Sequence, residues 1–204
     1  IDQFVEKILE NNKEIDIKKF KTWYKQNGTP LVKFKRIWDK EKQILKIQAS
    51  QINSNKKNLY NNLPLIIPIN IAIFLSSKEK INKTLILKEK EEEFTLENIN
   101  SKFDSPIISY FRNFSAPIKW ETDTTFAEKL LILEFETDYF TIYDTIKGIY
   151  KEIICKRIYE EPHINIENKL ITTLRSIIRN NKSINLSLLS EILSIPTFSE
   201  IEPE

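Results

Sequence analysis

The sequence predicts a multidomain α+β chain with a short helical lead-in, an all-β sandwich of about seven strands, and a closing helical bundle or solenoid. Three observations support this. Apolar residues recur at helical spacing up to about position 25, alternate with polar residues from Leu31, and return to helical spacing after Thr122. We therefore expect three segments, residues 1–30, 31–122 and 123–204.

The lead-in is predicted to hold two short helices, because its apolar residues form two stripes. The stripe of the first helix contains Phe4, Val5, Ile8 and Leu9. The second helix is expected to begin after Asp16, whose carboxylate would cap the first turn. Its stripe contains Ile17, Phe20 and Tyr24.

A switch from helix to strand is predicted at Gly28 and Pro30. The chain has only two glycines, and Gly28 follows the helical pattern at the position where a positive φ ends a helix at low cost. Pro30 then prevents the helix from continuing.

Residues 31–122 are predicted to form short antiparallel strands. Val32, Phe34 and Trp38 alternate with polar residues, as do Leu45, Ile47 and Ala49, which predicts a hairpin around Asp39 to Lys42. Five further strands are expected at 65–75, 84–88, 94–99, 107–111 and 117–121. The prolines are expected at strand starts, edges or bulges, because proline donates no ladder hydrogen bond: Pro64, Pro68, Pro106 and Pro117. Seven such strands favour an immunoglobulin-like sandwich.

The charged run at 88–93 admits three interpretations. It reads Lys-Glu-Lys-Glu-Glu-Glu, which is compatible with a cation site or an acidic docking patch. A solvated hairpin is the interpretation we favour, because charge runs usually cover exposed surface.

Helices are predicted after Thr122, with Thr124 or Thr125 as the N-cap of the first. Its inward residues would be Phe126, Leu130, Leu131 and Leu133. Further helices are expected at 139–159, 166–179 and 186–195, the last one ending before Pro196. The helix at 166–179 would bury Leu170, Leu174, Ile177 and Ile178 against its neighbours.

Composition excludes several classes of function. The formal net charge is only +2, which argues against a nucleic-acid partner. The longest apolar runs are shorter than the roughly 20 residues of a membrane helix, so no membrane partner is expected. The single cysteine, Cys155, cannot form an internal disulfide and is expected to be a buried core thiol.

The residues of the common catalytic sites are missing. There is one histidine, His163, which follows Pro162 in an expected exposed loop, so neither a zinc site of the His-Glu-x-x-His type nor a Ser-His-Asp triad can be written. With glycines only at Gly28 and Gly148, no phosphate-binding loop is present. We therefore assign no catalytic, metal-binding or substrate-binding residue.

Two motifs resemble those of bacterial aminopeptidase N, a family of zinc metallopeptidases. The first reads Trp-Tyr-x-Gln-x-Gly-Thr-Pro and contains Trp23, Tyr24, Gln26, Gly28, Thr29 and Pro30. The second reads Phe-Ser-Ala-Pro-Ile-Lys and begins with Phe114, Ser115, Ala116 and Pro117. Their order and spacing also match, and the resemblance covers nearly the whole chain.

This resemblance implies a parent enzyme that removes N-terminal amino acids from peptides with a bound zinc. Residues 1–30 would be the end of its thermolysin-like catalytic domain, 31–122 its β-sandwich domain, and 123–204 the beginning of its C-terminal helical domain. None of the family's zinc ligands or amine-binding residues carries over, so we expect no zinc in this chain and a structural role for both motifs. The implied partners are the rest of the parent and its peptide substrates, and the implied location is cytoplasmic.

The chain begins and ends within helical patterns, so we expect it to be an internal fragment, inactive by itself. One alternative is a stand-alone β-sandwich plus helix module that binds a protein partner. Another is a carbohydrate binder that uses Trp38 and Trp120, although core packing explains these two aromatic residues more simply.

Overall fold

The computed structural model describes residues 7, 17–26, 28–52, 63–158, 164–180 and 185–201. These residues group into two compact units. Unit 1 draws on the ranges Ile1–Ile71, Asn82–Pro106 and Ser115–Asp123, and unit 2 on Ala72–Ile81, Ile107–Phe114 and Thr124–Glu204. Two strands, Ile67–Phe74 and Lys80–Leu87, contribute residues to both units.

A short helix, seven strands and five further helices follow one another along the described chain. The first elements are α1 (Ile17–Lys25), β1 (Leu31–Asp39), β2 (Ile44–Ile52), β3 (Ile67–Phe74), β4 (Lys80–Leu87), β5 (Glu91–Leu96), β6 (Ile107–Ser109) and β7 (Lys119–Glu121). The later helices are α2 (Phe126–Phe135), α3 (Tyr139–Ile158), α4 (Ile164–Asn180), α5 (Leu186–Leu193) and α6 (Phe198–Ile201). A 3-10 turn (Arg112–Phe114) lies between β6 and β7.

Unit 1 contains a four-stranded sheet in the order β5-β2-β1-β7. Strands β1 and β2 form the predicted antiparallel hairpin, from Leu31 opposite Ile52 to Asp39 opposite Ile44. Of the predicted inward residues, Trp38 is half-buried and the others are buried: Val32, Phe34, Leu45, Ile47 and Ala49. The alternation in the sequence therefore identified the buried face of this sheet correctly.

The second sheet has the order β4-β3-β6. Within unit 1, β3 buries Ile67, Ile69 and Ile71. Within unit 2, its last three residues are all buried and pair antiparallel with β6, from Ala72 opposite Ser109 to Phe74 opposite Ile107. The end of β3 is thus apolar on both faces.

The charged run at 88–93 is not a hairpin. Strands β4 and β5, which flank residues 88–90, lie in different sheets, so this segment crosses from one sheet to the other. Strand β5 begins at Glu91, earlier than predicted, and alternates exposed and half-buried residues. An edge strand tolerates such charges, which also discourage pairing with another chain.

The helices of unit 2 share one apolar core. Thr125, one of the two residues predicted as the N-cap of α2, is the N-cap in the structure and forms a capping box with Glu128. The core consists of Leu130, Leu133, Ile142, Ile146, Ile149, Leu170, Ile177 and Ile192. Ile178 was expected in this core but is 50% exposed, because it adjoins Ile177 on the helix and faces another direction.

Several predictions lie outside the described residues: the first helix at 4–9, the Asp16 cap and the position of His163. Cys155 is half-buried rather than buried, since it lies near the end of α3, where Ile158 is exposed. Across the part of the chain that the structure describes, no helix is long and apolar enough to cross a membrane.

Candidate functional site

The first motif ties α1 to the segment that leads into β3. The indole Nε1–H of Trp23 donates to the carbonyl oxygen of Ile66 at 2.9 Å. The side-chain amide of Gln26 donates to the carbonyl oxygen of Leu63 at 2.8 Å. Two hydrogen bonds therefore fix the end of this helix against chain more than thirty residues away.

The rest of the motif turns the chain into β1. Gly28 has φ 88°, which confirms the predicted positive φ, and both Gly28 and Thr29 are exposed. Pro30 is buried, and its carbonyl oxygen accepts a hydrogen bond from the backbone N–H of Lys119 at 2.9 Å.

Tyr24 does not have the buried position that its stripe predicted. It is 52% exposed, and its ring meets that of Phe20 edge-on, with centroids 6.0 Å apart. The helix spacing predicted a stripe through Ile17, Phe20 and Tyr24, whereas Thr22 is buried and Trp23 half-buried. The buried face of α1 therefore lies at Thr22 and Trp23 and not at Tyr24, because the indole of Trp23 is held by its hydrogen bond to the carbonyl oxygen of Ile66.

The second motif begins within a turn that has three left-handed residues. Phe111, Asn113 and Phe114 have φ of 54°, 57° and 48°, a conformation that is uncommon for bulky residues. It explains why β6 ends at Ser109, two residues earlier than predicted. In unit 2, Phe114 is exposed, with its ring centroid 5.0 Å from that of Phe140.

The remaining motif residues lie in unit 1. The hydroxyl oxygen of Ser115 accepts a hydrogen bond from the backbone N–H of Asn70 at 3.1 Å. Ala116 is buried and Pro117 exposed, and the carbonyl oxygen of Ala116 accepts from the N–H of Ile118 at 3.0 Å. Since Lys119 ends this motif and bonds to Pro30, the structure brings the end of one motif to the end of the other.

The sequence analysis missed a buried carboxylate in unit 2. The side chain of Glu136 has no solvent exposure. It accepts hydrogen bonds from the Ser109 hydroxyl at 2.6 Å, from an Arg112 nitrogen at 3.1 Å, and from the backbone N–H groups of Thr137 and Asp138 at 2.6 and 3.0 Å. The Nζ of Lys80 lies 3.6 Å away.

The charge of this carboxylate is stabilised where it lies. Burial by itself raises the pKa of Glu136, but the hydrogen bonds from Ser109, Asp138 and Thr137, together with the charge of Arg112, hold the pKa below its ordinary value. The sequence offered one signal, an acidic residue directly after Phe135, the last residue of α2. It could not show which distant donors would surround it.

The described residues do not fit a zinc site. Among them, no group of three or more His, Cys, Asp or Glu side chains lies close enough together to hold a metal ion. An open groove of about 620 Å³ between α2 and α4 is lined by apolar residues and by Glu134, Asn168, Lys169 and two threonines. Within the described part of the chain, the candidate features are therefore the linked motifs in unit 1 and, separately, the Glu136 cluster in unit 2.

Comparison with known proteins first gives the fold class of the chain. Residues 28–123 match the family described as a domain of unknown function, DUF3458, with an Ig-like fold. The crystal structure of Legionella pneumophila aminopeptidase A in complex with aspartic acid has a similar fold, with a TM-score of 0.83 and 23% identity, over 98% of this chain and 22% of that one. The chain thus contains an immunoglobulin-like domain of seven strands in two sheets, followed by helices.

Two relatives of known name also match nearly the whole chain. Aminopeptidase N of Haemophilus influenzae is 22% identical over 215 residues, which is 96% of this chain, and that of Escherichia coli is 23% identical over 212 residues, which is 98% of this chain. The chain is therefore similar to aminopeptidase N over nearly its whole length, which confirms the predicted resemblance of the chain. It spans 24% of the length of either relative.

Proposed function

We propose that this chain is a non-catalytic part of a zinc aminopeptidase that removes N-terminal amino acids from peptides, and that it acts there as an inter-domain spacer and scaffold. The observation that carries the proposal is the extent of the match. Aminopeptidase N aligns with 96–98% of this chain, while the chain spans 24% of those proteins.

The proposed division assigns residues 1–30 to the end of the catalytic domain, 31–122 to the sandwich domain and 123–204 to the beginning of the C-terminal helical domain. The family match over residues 28–123 supports the two inner boundaries. The hydrogen bond between Lys119 and Pro30 also supports them, because it closes the sandwich segment at its own entrance.

The scaffold role follows from what the motif residues contact. Trp23, Gln26 and Ser115 hold backbone atoms through side-chain hydrogen bonds. Residues of this kind fix the direction in which the chain enters and leaves a domain. The zinc and the residues that bind peptide would belong to other parts of the parent, which we propose to be a cytoplasmic enzyme.

The test is to assay the purified 204-residue chain for bound zinc and for release of alanine from an alanyl anilide, with an intact bacterial aminopeptidase N as positive control. We expect neither zinc nor turnover. Stoichiometric zinc together with hydrolysis would show that the chain has its own active site.

The reading frame that encodes residue 1 separates the spacer from the alternative of a stand-alone interaction module. An in-frame His-Glu-x-x-His upstream is expected for a part of the enzyme. A start codon close to residue 1, with no such motif, would instead support the module.

A further inference from the structure

Glu136 joins parts of unit 2 that are far apart in sequence. Its donors come from the end of β6 at Ser109, from the 3-10 turn at Arg112, and from the segment between α2 and α3. The ammonium of Lys80, at the start of β4, lies 3.6 Å from the same carboxylate. The side chain of Glu136, which directly follows α2, thus contacts two strands and a turn.

We propose that the contacts of Glu136, which we call the latch, couple the helix pair α2–α3 to β6 and its following turn. These elements would then unfold locally together and not one by one. This inference deepens the spacer role proposed above and depends on it for its biological meaning. A spacer can set the position of a neighbouring domain only if its own strands and helices do not move independently.

The helix side of the latch is continuous with the start of α3. The backbone N–H of Asp138 donates to Glu136, while the Asp138 carboxylate accepts from both the N–H and the hydroxyl of Thr141, at 2.9 and 2.7 Å. The N–H of Ile142 donates to the carbonyl oxygen of Asp138. A displacement of Glu136 would therefore be passed to the first turn of α3.

The strand side is held by charge and by packing. Among the described residues, Arg112 and Lys80 form ion pairs with Glu136, and Asp138 is the neighbouring acid, turned toward Thr141. Next to the latch, the ring of Phe135 at the end of α2 lies 6.2 Å from the ring of Phe74 in β3. Apolar contact would hold the two sides loosely, whereas the buried carboxylate fixes their register.

The test is hydrogen exchange on the 204-residue chain with Glu136→Gln, which keeps the size of the side chain but removes its charge. Glu134→Gln is the matched control, since Glu134 is exposed and two residues away on α2. Breaking a buried charged pair is expected to speed exchange in β6 and in the first turn of α3 together, by roughly a hundredfold or more. Exchange in β1 and β2 should stay unchanged, and the control should resemble the wild type.

Three results would overturn the latch: faster exchange on only one side, an equal increase throughout the chain, or no increase. If Glu136→Gln does not fold, Ser109→Ala removes a single hydrogen bond and is judged by the same pattern, with a smaller increase. These data are independent of peptide hydrolysis, so the latch can fail while the spacer proposal stands, and an active purified chain would refute the spacer without changing the exchange result.

Discussion

Replacing Trp23 tests whether the first motif holds α1 in place. The ring is half-buried, so Trp23→Ala should lose about half of the 3–5 kcal/mol of a fully buried aromatic residue, or about 2 kcal/mol. The hydrogen bond to the Ile66 carbonyl oxygen adds about 1 kcal/mol. We therefore expect a free energy of unfolding lower by about 3 kcal/mol, while Trp23→Phe, which keeps a ring, should cost about 1 kcal/mol.

The assay is urea unfolding followed by circular dichroism, with thermal unfolding as a second measurement. Trp23→Ala should lower Tm by roughly 6–12 °C for a chain of this size. Tyr24→Ala is the control, because this neighbouring aromatic residue is exposed and should cost less than about 1 kcal/mol. Equal losses at both positions, or an unchanged Trp23→Ala, would refute the role of Trp23 in holding α1 in place.

Two further predictions concern the glycines and one half-buried acid. Gly28→Ala should destabilise the chain by about 1 kcal/mol because of the positive φ of Gly28. Gly148→Ala should instead stabilise it by about 0.5–1 kcal/mol, since Gly148 is helical and an added Cβ meets nothing within 4 Å. Urea unfolding measures both changes, and effects of the same sign would contradict the reasoning. Burial raises the pKa of Asp144 to about 6, and the charge of Lys129 offsets this only in part, so the folded chain binds more protons than the unfolded chain and loses stability as pH rises from about 4 to about 6. Asp144→Asn should flatten this loss in unfolding measured at pH 4, 6 and 7, and an unchanged pH profile would show that Asp144 does not titrate in this range.

The strands and helices could be predicted because their patterns are local. The alternation through Val32 and Phe34, and again through Leu45 and Ile47, specifies a buried face without any knowledge of the partner sheet. The cap at Thr125 was predictable for the same reason, since a capping box lies within four residues.

Pairing between distant strands could not be predicted. Residues 88–93 have the composition of an exposed turn, and neighbouring strands usually form hairpins. Only the structure shows that β4 and β5 lie in separate sheets. The parallel pairing of β1 with β7 is likewise absent from the local pattern, because about eighty residues of chain separate the two strands.

Of the candidate features, the sequence pointed to the two motifs and missed the Glu136 cluster. The motifs at Trp23 and Ser115 were identified by family resemblance, and their physical role, the binding of distant backbone, became visible only in the structure. Glu136 could not be distinguished by sequence from the many other acids of the chain. Its burial depends on Ser109 and Arg112, which reach it through tertiary packing.

The pairing of β1 with β7 has a mechanical consequence. The two strands are parallel, with Leu31 opposite Lys119 and Lys33 opposite Glu121, and Lys33 also forms an ion pair with Glu121 at 2.7 Å. A force that pulls on the chain before β1 and after β7 therefore acts along the strands in opposite directions and loads the ladder in shear. Under this load the hydrogen bonds between β1 and β7 would have to break together and not one after another. Tension on the flanking chain would therefore load this short ladder before it loads the hairpin of β1 and β2.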